Sequence, residues 1–161
     1  MVQPFTCHDE AHQQCVNLAL QRAEDLCVEN KLRLTPLRRR ILEMIWQSHQ
    51  PVGAYDLLDL LQREGRAAPP TVYRTLDFLL EHGLVHRLAS RTAYFGCSHP
   101  GQKHSGQVLI CESCNVLAEL DNRDIRQEID STAASIGFQV REQLVEISGL
   151  CPKCRQGGAD V

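Results

Sequence analysis

The chain lacks any apolar stretch long enough to cross a bilayer, so no membrane-spanning helix and no membrane partner is expected. Residues Met1 to Gln14 hold no apolar run and carry Asp9, Glu10 and two histidines. No secretory leader is therefore expected, and a reducing, cytoplasmic setting is. No His-Glu-x-x-His string is present, and no side chain stands out as a general base, so the chain is not expected to be an enzyme. It also lacks a positive balance: the net charge of −3 on its face argues against nucleic acid. That charge is uneven, at −4 over residues 1–30, +4 over 31–96 and −3 over 97–161. With 161 residues and a hydrophobic fraction of 43%, the chain can bury one generous core or two small ones.

What the sequence does have is two Cys-x-x-Cys pairs, Cys111/Cys114 and Cys151/Cys154, with 36 residues between them. Each pair offers two sulfurs from one tight turn, and two such turns complete the tetrahedron that Zn²⁺ prefers. Paired disulfides would suit an oxidising compartment, and a thioredoxin-like centre needs only one motif beside a βαβ pattern. Here both motifs adjoin β-rich runs, Gln107–Ile110 and Val140–Gly149, which favours a structural zinc.

The basic middle segment has the clearest local organisation. Thr35-Pro36 reads as an N-cap followed by proline at the first helical position, with Leu37, Ile41, Met44 and Ile45 at helical spacing and Arg38, Arg39 and Arg40 on the other side. A second helix is expected through Tyr55, Leu57, Leu58 and Leu61, ended by Gly65. A third opens at Pro69-Pro70-Thr71, with Val72, Leu76, Leu79 and Leu80 on one face and Gly83 as its stop. Two strands, Leu84–Ala89 and Thr92–Cys97, follow around a Ser90-Arg91 turn. Three helices and a hairpin in this order predict a winged helix-turn-helix.

The third helix is then the candidate reader of DNA. Thr71, Tyr73 and Arg74 point outward near its N-terminus, where recognition helices present side chains to base edges. Arg74 suits a bidentate contact to guanine, and the alternative is an intrahelical pair with Asp77. Arg38, Arg39, Arg40, Arg87 and Arg91 are candidate phosphate contacts, or a solvated basic face. A winged helix also serves as a protein-interaction module, so this pattern by itself leaves that use open.

A second constellation lies between the halves. His86, Cys97, His99 and His104 fall within nineteen residues, and Glu119 follows the first cysteine pair. Mixed imidazole, thiolate and carboxylate donors point to zinc rather than to ferrous iron or manganese, whose sites are more often all nitrogen and oxygen. Near the start, Cys7, His8, His12 and Cys15 form a further candidate ligand set.

The strings Leu32-Arg33-Leu34-Thr35-Pro36, Ala54-Tyr55-Asp56-Leu57-Leu58 and Pro69-Pro70-Thr71-Val72-Tyr73-Arg74, followed by the two cysteine pairs, resemble the ferric uptake regulator superfamily. The run Pro69–His86 resembles its zinc-sensing branch, and the likeness covers about residues 17–155. It implies an α+β protein: an N-terminal winged helix-turn-helix domain that binds DNA, a hinge, and a C-terminal α/β domain that dimerises. On this chain the parts would be a tail at 1–16, the winged helix at 17–96, the hinge at 97–106, the dimerisation domain with structural zinc at 107–155 and a tail at 156–161. The second domain would hold strands Gln107–Ile110, Val116–Leu120 and Val140–Ile147, with a helix from about Asp124 to Ile136 stopped by Gly137.

The resemblance further implies two zinc ions per subunit, a structural one on Cys111, Cys114, Cys151 and Cys154 and a regulatory one on His86, Cys97, His104 and Glu119. His99, close by in the sequence, either competes with His104 for the latter role or supplements it. DNA contacts would fall on Tyr55 and Arg74, and the partners would be operator DNA and a second copy of the chain. A His-His-Asp-His run typical of iron-sensing relatives is absent, the chain having His104-Ser105-Gly106-Gln107 instead. The expected function is zinc-responsive repression of zinc uptake from a palindromic operator. Sensing of iron or peroxide, and DNA binding indifferent to metal, are the alternatives.

Overall fold

The computed structural model describes residues 9–65, 68–101, 106–120 and 122–157. The chain divides into two compact units, one within Thr6–Gln102 and one within Lys103–Val161. The first runs α1 (Asp9–Glu29), α2 (Pro36–Trp46), β1 (Val52–Gly53), α3 (Ala54–Arg63), α4 (Pro69–Glu81), β2 (Val85–Leu88) and β3 (Ala93–Gly96). The second runs β4 (Gly106–Cys111), β5 (Leu117–Leu120), α5 (Arg123–Ser135), β6 (Leu144–Gly149) and α6 (Pro152–Gly157).

In the first unit the helix stops are local and chemical. The Thr35 hydroxyl accepts from the Arg38 N–H at 3.4 Å and Pro36 opens α2, whose Ile41, Leu42, Met44 and Ile45 are buried. The Asp56 carboxylate accepts from the Gly53 N–H at 3.2 Å at the start of α3. Gly83, at φ +64°, ends α4 in a left-handed turn. The buried faces of α2, α3 and α4, through Leu57, Leu61, Val72, Leu76 and Leu79, meet Leu84, Val85 and Tyr94 in one core. The wing is a three-stranded antiparallel sheet in the order β1-β3-β2, with Val85 opposite Gly96 and Leu88 opposite Ala93.

Three features differ from the sequence reading. Residues 9–16, expected as tail, belong to α1, whose Val16, Leu20, Ala23, Leu26 and Cys27 repeat at helical spacing and are buried in the core. Stripe burial holds a helix that has no glycine stop: Lys31 takes the left-handed turn at φ 56°, and the Leu32 N–H donates to Cys27 O at 2.7 Å. The arginine trio on α2 is committed to local partners. Arg39 pairs with Glu24 at 2.8 Å, Arg40 with Glu43 and Glu64, and the Arg38 guanidinium lies 3.5 Å from the centroid of the Phe78 ring. Third, the last strand begins at Leu144 rather than Val140, and its described ladder with β4 runs from Gly106 opposite Leu144 to Cys111 opposite Gly149.

The second unit is a three-stranded sheet in the order β5-β4-β6, antiparallel between β4 and β5 and parallel between β4 and β6. β4 is central, with Gly106, Gln107, Val108, Ile110 and Cys111 buried. The Asn122 side chain caps α5 by accepting from the Asp124 and Ile125 N–H groups, and Gly137 at φ +79° stops it. Among the described residues no helix is long and apolar enough to cross a membrane.

Candidate metal centres and nucleic-acid interface

The four cysteines of the paired motifs converge at one end of the second sheet. Cys111 ends β4, Cys114 lies in the turn before β5, Cys151 immediately precedes α6, and Cys154 is in α6. Their sulfurs all lie within 4.8 Å of one another, and Cys114 Sγ is 3.8 Å from Cys151 Sγ. A disulfide would bring two sulfurs to about 2.05 Å. A tetrahedron with Zn–S bonds of about 2.3 Å has edges of about 3.8 Å, so the donor set fits zinc. The turns are tied together by the Glu112 N–H donating to Gly149 O at 2.8 Å and the Asn115 N–H to Cys111 O at 2.9 Å. Backbone N–H groups also face sulfur: Cys151 N lies 3.4 Å from Cys111 Sγ, and Cys154 N lies 3.5 Å from Cys151 Sγ. The backbone N–H groups of Cys151 and Cys114 lower the Cys111 thiol to about 6. Cys114 is pushed up to about 11: the Val116 N–H favours its thiolate, but burial and the three neighbouring sulfurs outweigh it. Four closely spaced thiols cannot all ionise without a cation, and a divalent ion at their centre supplies that charge. All four ligands being sulfur, the centre is closed and leaves no open position for a reacting water.

The candidate regulatory ligands are distributed over both units. In the first, His86 lies in β2 opposite Phe95, with ring centroids 5.2 Å apart. Cys97 follows β3 and is buried, and its N–H donates to Leu84 O at 3.0 Å, holding it next to β2. The ligand atoms of His86 and Cys97 come within 4.8 Å of each other. His99 is half-buried two residues on. In the second unit Glu119 is half-buried on β5, paired in register with Val108. His104 lies outside the described residues, as do Cys7 and His8 of the N-terminal candidate set. His12 of that set faces His49, on the turn after α2.

Sequence reasoning missed two residues that hold the Cys97 segment. Arg22 of α1 donates to Ser98 O at 2.8 Å. A side chain at Gly96 would overlap the Trp46 indole, so glycine lets α2 close on β3 immediately before Cys97. Arginine and glycine at these positions carry no motif; only the three-dimensional contact reveals them.

The candidate DNA face is formed by the starts of α3 and α4. Val72, Thr75, Leu76 and Leu79 turn inward, with the Thr75 hydroxyl donating to Thr71 O at 2.9 Å, while Thr71, Tyr73 and Arg74 stay exposed. Tyr55, at 79% exposure, lies at the start of α3, near Tyr73. Partial desolvation, then the nearby Tyr55, raises the Tyr73 phenol above its ordinary value. Among the described residues Arg74 makes no ion pair with Asp77, the alternative expected from the sequence. The structure thus brings Tyr55 and Tyr73 together and leaves the Arg74 guanidinium on the same exposed part of α4.

Fold and donor sets define a winged-helix protein with a four-cysteine cluster, suited to a metal ion, in a separate α/β unit. Residues 29–148 match the ferric uptake regulator family, and the chain belongs to that family. It is 39% identical over 137 residues to the zinc uptake regulation protein of Escherichia coli, a match covering 84% of this chain and 80% of that protein. A solved zinc uptake regulator complexed with zinc and DNA is similar at a TM-score of 0.83 and 37% identity, over 90% of this chain and 98% of that one. The crystal structure of holo XcZur gives a TM-score of 0.81 at 42% identity, over 87% and 99% of the two chains.

Proposed function

We propose that this chain is a zinc-responsive transcriptional repressor that binds palindromic operator DNA as a homodimer in the cytoplasm and represses zinc-uptake genes. The observation that carries the reading is one of placement within the first unit. An exposed reading face, Tyr55, Thr71, Tyr73 and Arg74, is followed directly by strands that carry an imidazole and a buried thiol, His86 and Cys97, within ligand distance of one another. The thiol favours zinc over ferrous iron, which bears against the iron and peroxide readings.

Two zinc ions per subunit serve different purposes. The ion on Cys111, Cys114, Cys151 and Cys154 closes the second unit. The regulatory ion takes His86, Cys97, His104 and Glu119, with His99 a competitor for the His104 role. Because these ligands come from both parts of the chain, its binding favours one arrangement of the DNA-binding unit. In a symmetric dimer that arrangement sets the spacing of two recognition helices, which must enter successive major grooves about 34 Å apart. A hundredfold gain in DNA affinity needs about 2.8 kcal/mol of coupling, and linkage requires operator DNA to tighten zinc binding equally.

The homodimer is supported by the second unit's incomplete cover. Its helix α5 contributes no fully buried residue, and Ile136, Phe138, Ile147 and Leu150 are exposed. The closed four-sulfur centre and the regulatory relatives both fit a regulator, not an enzyme.

The test is Cys97→Ser, with zinc content and operator binding measured on one preparation. One zinc per subunit should remain while zinc-dependent operator binding is lost. Operator binding that keeps its zinc dependence would overturn the regulatory site.

A further inference from the structure

We infer that His12 and His49 form a further site for a divalent transition metal of the zinc class, distinct from the four-cysteine centre and from the His86/Cys97 ligands. His12 is on the first turns of α1, and His49 is on the turn between α2 and β1. The two rings meet edge to face with centroids 4.8 Å apart, and His12 Nδ1 lies 3.1 Å from His49 Nε2. The other nitrogen of His12, Nε2, is 2.7 Å from the carbonyl oxygen of Gln47. A carbonyl only accepts, so Nε2 carries the hydrogen, and in the neutral ring Nδ1 presents its lone pair to His49.

This is the arrangement in which proteins prepare an imidazole for a metal. The far ring N–H is held by a backbone carbonyl, which fixes the tautomer and aims the near nitrogen. Two imidazole nitrogens bound to one zinc at about 2.0–2.1 Å with tetrahedral angles stand about 3.3–3.4 Å apart. The observed 3.1 Å needs a few tenths of an ångström of opening and a turn of each ring by about 35°, so that both nitrogens aim at one ion. Both rings are half-buried, and burial, followed by the neighbouring His12, lowers the His49 pKa, which favours the neutral ring that can act as a ligand. Without a metal, the facing nitrogens are joined by a single hydrogen donated from His49 Nε2. A cation replaces that hydrogen and bonds both lone pairs, and His49 then carries its hydrogen on Nδ1.

A bound ion would staple the start of α1 to the turn that leads into β1. β1 pairs with β3, Val52 opposite Tyr94, so the staple joins the start of α1 to the sheet that carries the wing. Imidazole donors select zinc, copper or nickel over magnesium and calcium.

The experiment uses the full-length protein and zinc as the probe. Zinc bound per subunit is measured by equilibrium dialysis across buffered free zinc for the wild type, His12→Ala, His49→Ala and Cys97→Ser. Long-range proton–nitrogen spectra of the imidazole rings are recorded on the same samples. Both histidine variants should lose one equivalent that Cys97→Ser retains, and in the wild type His12 Nδ1 and His49 Nε2 should shift together as that equivalent binds. His49→Gln, which keeps a hydrogen-bonding side chain but offers no imidazole, guards against a folding defect and should lose the same equivalent. Histidine variants that bind as much zinc as the wild type, or rings that only share a proton, would overturn the site. Failure of the regulatory reading would appear separately, in Cys97→Ser.

Discussion

Gly96→Ala puts the packing between α2 and the wing under direct test. The backbone at Gly96 is not left-handed, so alanine meets no conformational strain; its Cβ would instead overlap Cε2, Nε1 and Cζ2 of Trp46. Trp46 is half-buried and can only yield by swinging off the sheet. If that strips about 100 Å² of apolar contact from the ring, the loss is about 2.5 kcal/mol at about 25 cal/mol/Å². Alanine returns up to about 0.5–1 kcal/mol through lower backbone entropy in the unfolded chain. A net cost of about 2 kcal/mol corresponds to a fall in melting temperature of about 4–8 °C for a chain of this size. Calorimetry of Gly96→Ala, Trp46→Ala and the double variant completes a cycle. The double variant should be less destabilised than the sum by at least about 1 kcal/mol, because removing the indole removes the overlap. A melting temperature within about 1 °C of the wild type, or an additive cycle, would refute the reasoning.

Further outcomes follow from the sites. Arg74→Ala should weaken operator binding by about 1–3 kcal/mol and relax the base preference at one position. Arg39→Ala, which removes only the exposed pair with Glu24, should change stability by less than about 1 kcal/mol and leave operator specificity intact. Cys151→Ser, or strong chelation, should remove the zinc of the second unit and abolish its cooperative melting, read by calorimetry and zinc content together. Cys27 is buried, and burial, opposed by Arg38, raises its thiol pKa above 9.0. Its stabilising contribution is therefore full below about pH 9 and lost as pH rises through the folded value, and Cys27→Ala should flatten that alkaline loss. Cys27 should also alkylate more slowly than the half-buried Cys15 in the folded chain.

Much of the winged helix was legible because its punctuation is chemical and local: Thr35-Pro36 at the start of α2, Gly65 and Gly83 at the ends of α3 and α4. The four-cysteine centre was legible for the same reason, as two tight turns with fixed ligand spacing. α1 escaped notice although Val16, Leu20, Ala23 and Leu26 were in plain view, because its ends carry no such punctuation; Lys31, not glycine, makes the closing turn. β1 and α6, of two and six residues, are too short to show a period. The arginine trio looked like a phosphate-binding face because charge composition does not reveal partners distant in sequence, here Glu24 and Glu64. The contacts of Arg22 with Ser98, Trp46 with Gly96 and His12 with His49 span long separations and leave no mark on local pattern.

The central claim is that zinc, and not iron, controls DNA binding. Fluorescence anisotropy of a labelled palindromic fragment from a zinc-transporter promoter, titrated with protein across buffered free zinc and a parallel ferrous series, tests it most directly. Tight binding should appear only as free zinc rises, by about a hundredfold for about 2.8 kcal/mol of coupling, and Cys97→Ser should abolish it. Binding that ignores zinc, or that follows ferrous iron instead, would contradict the claim.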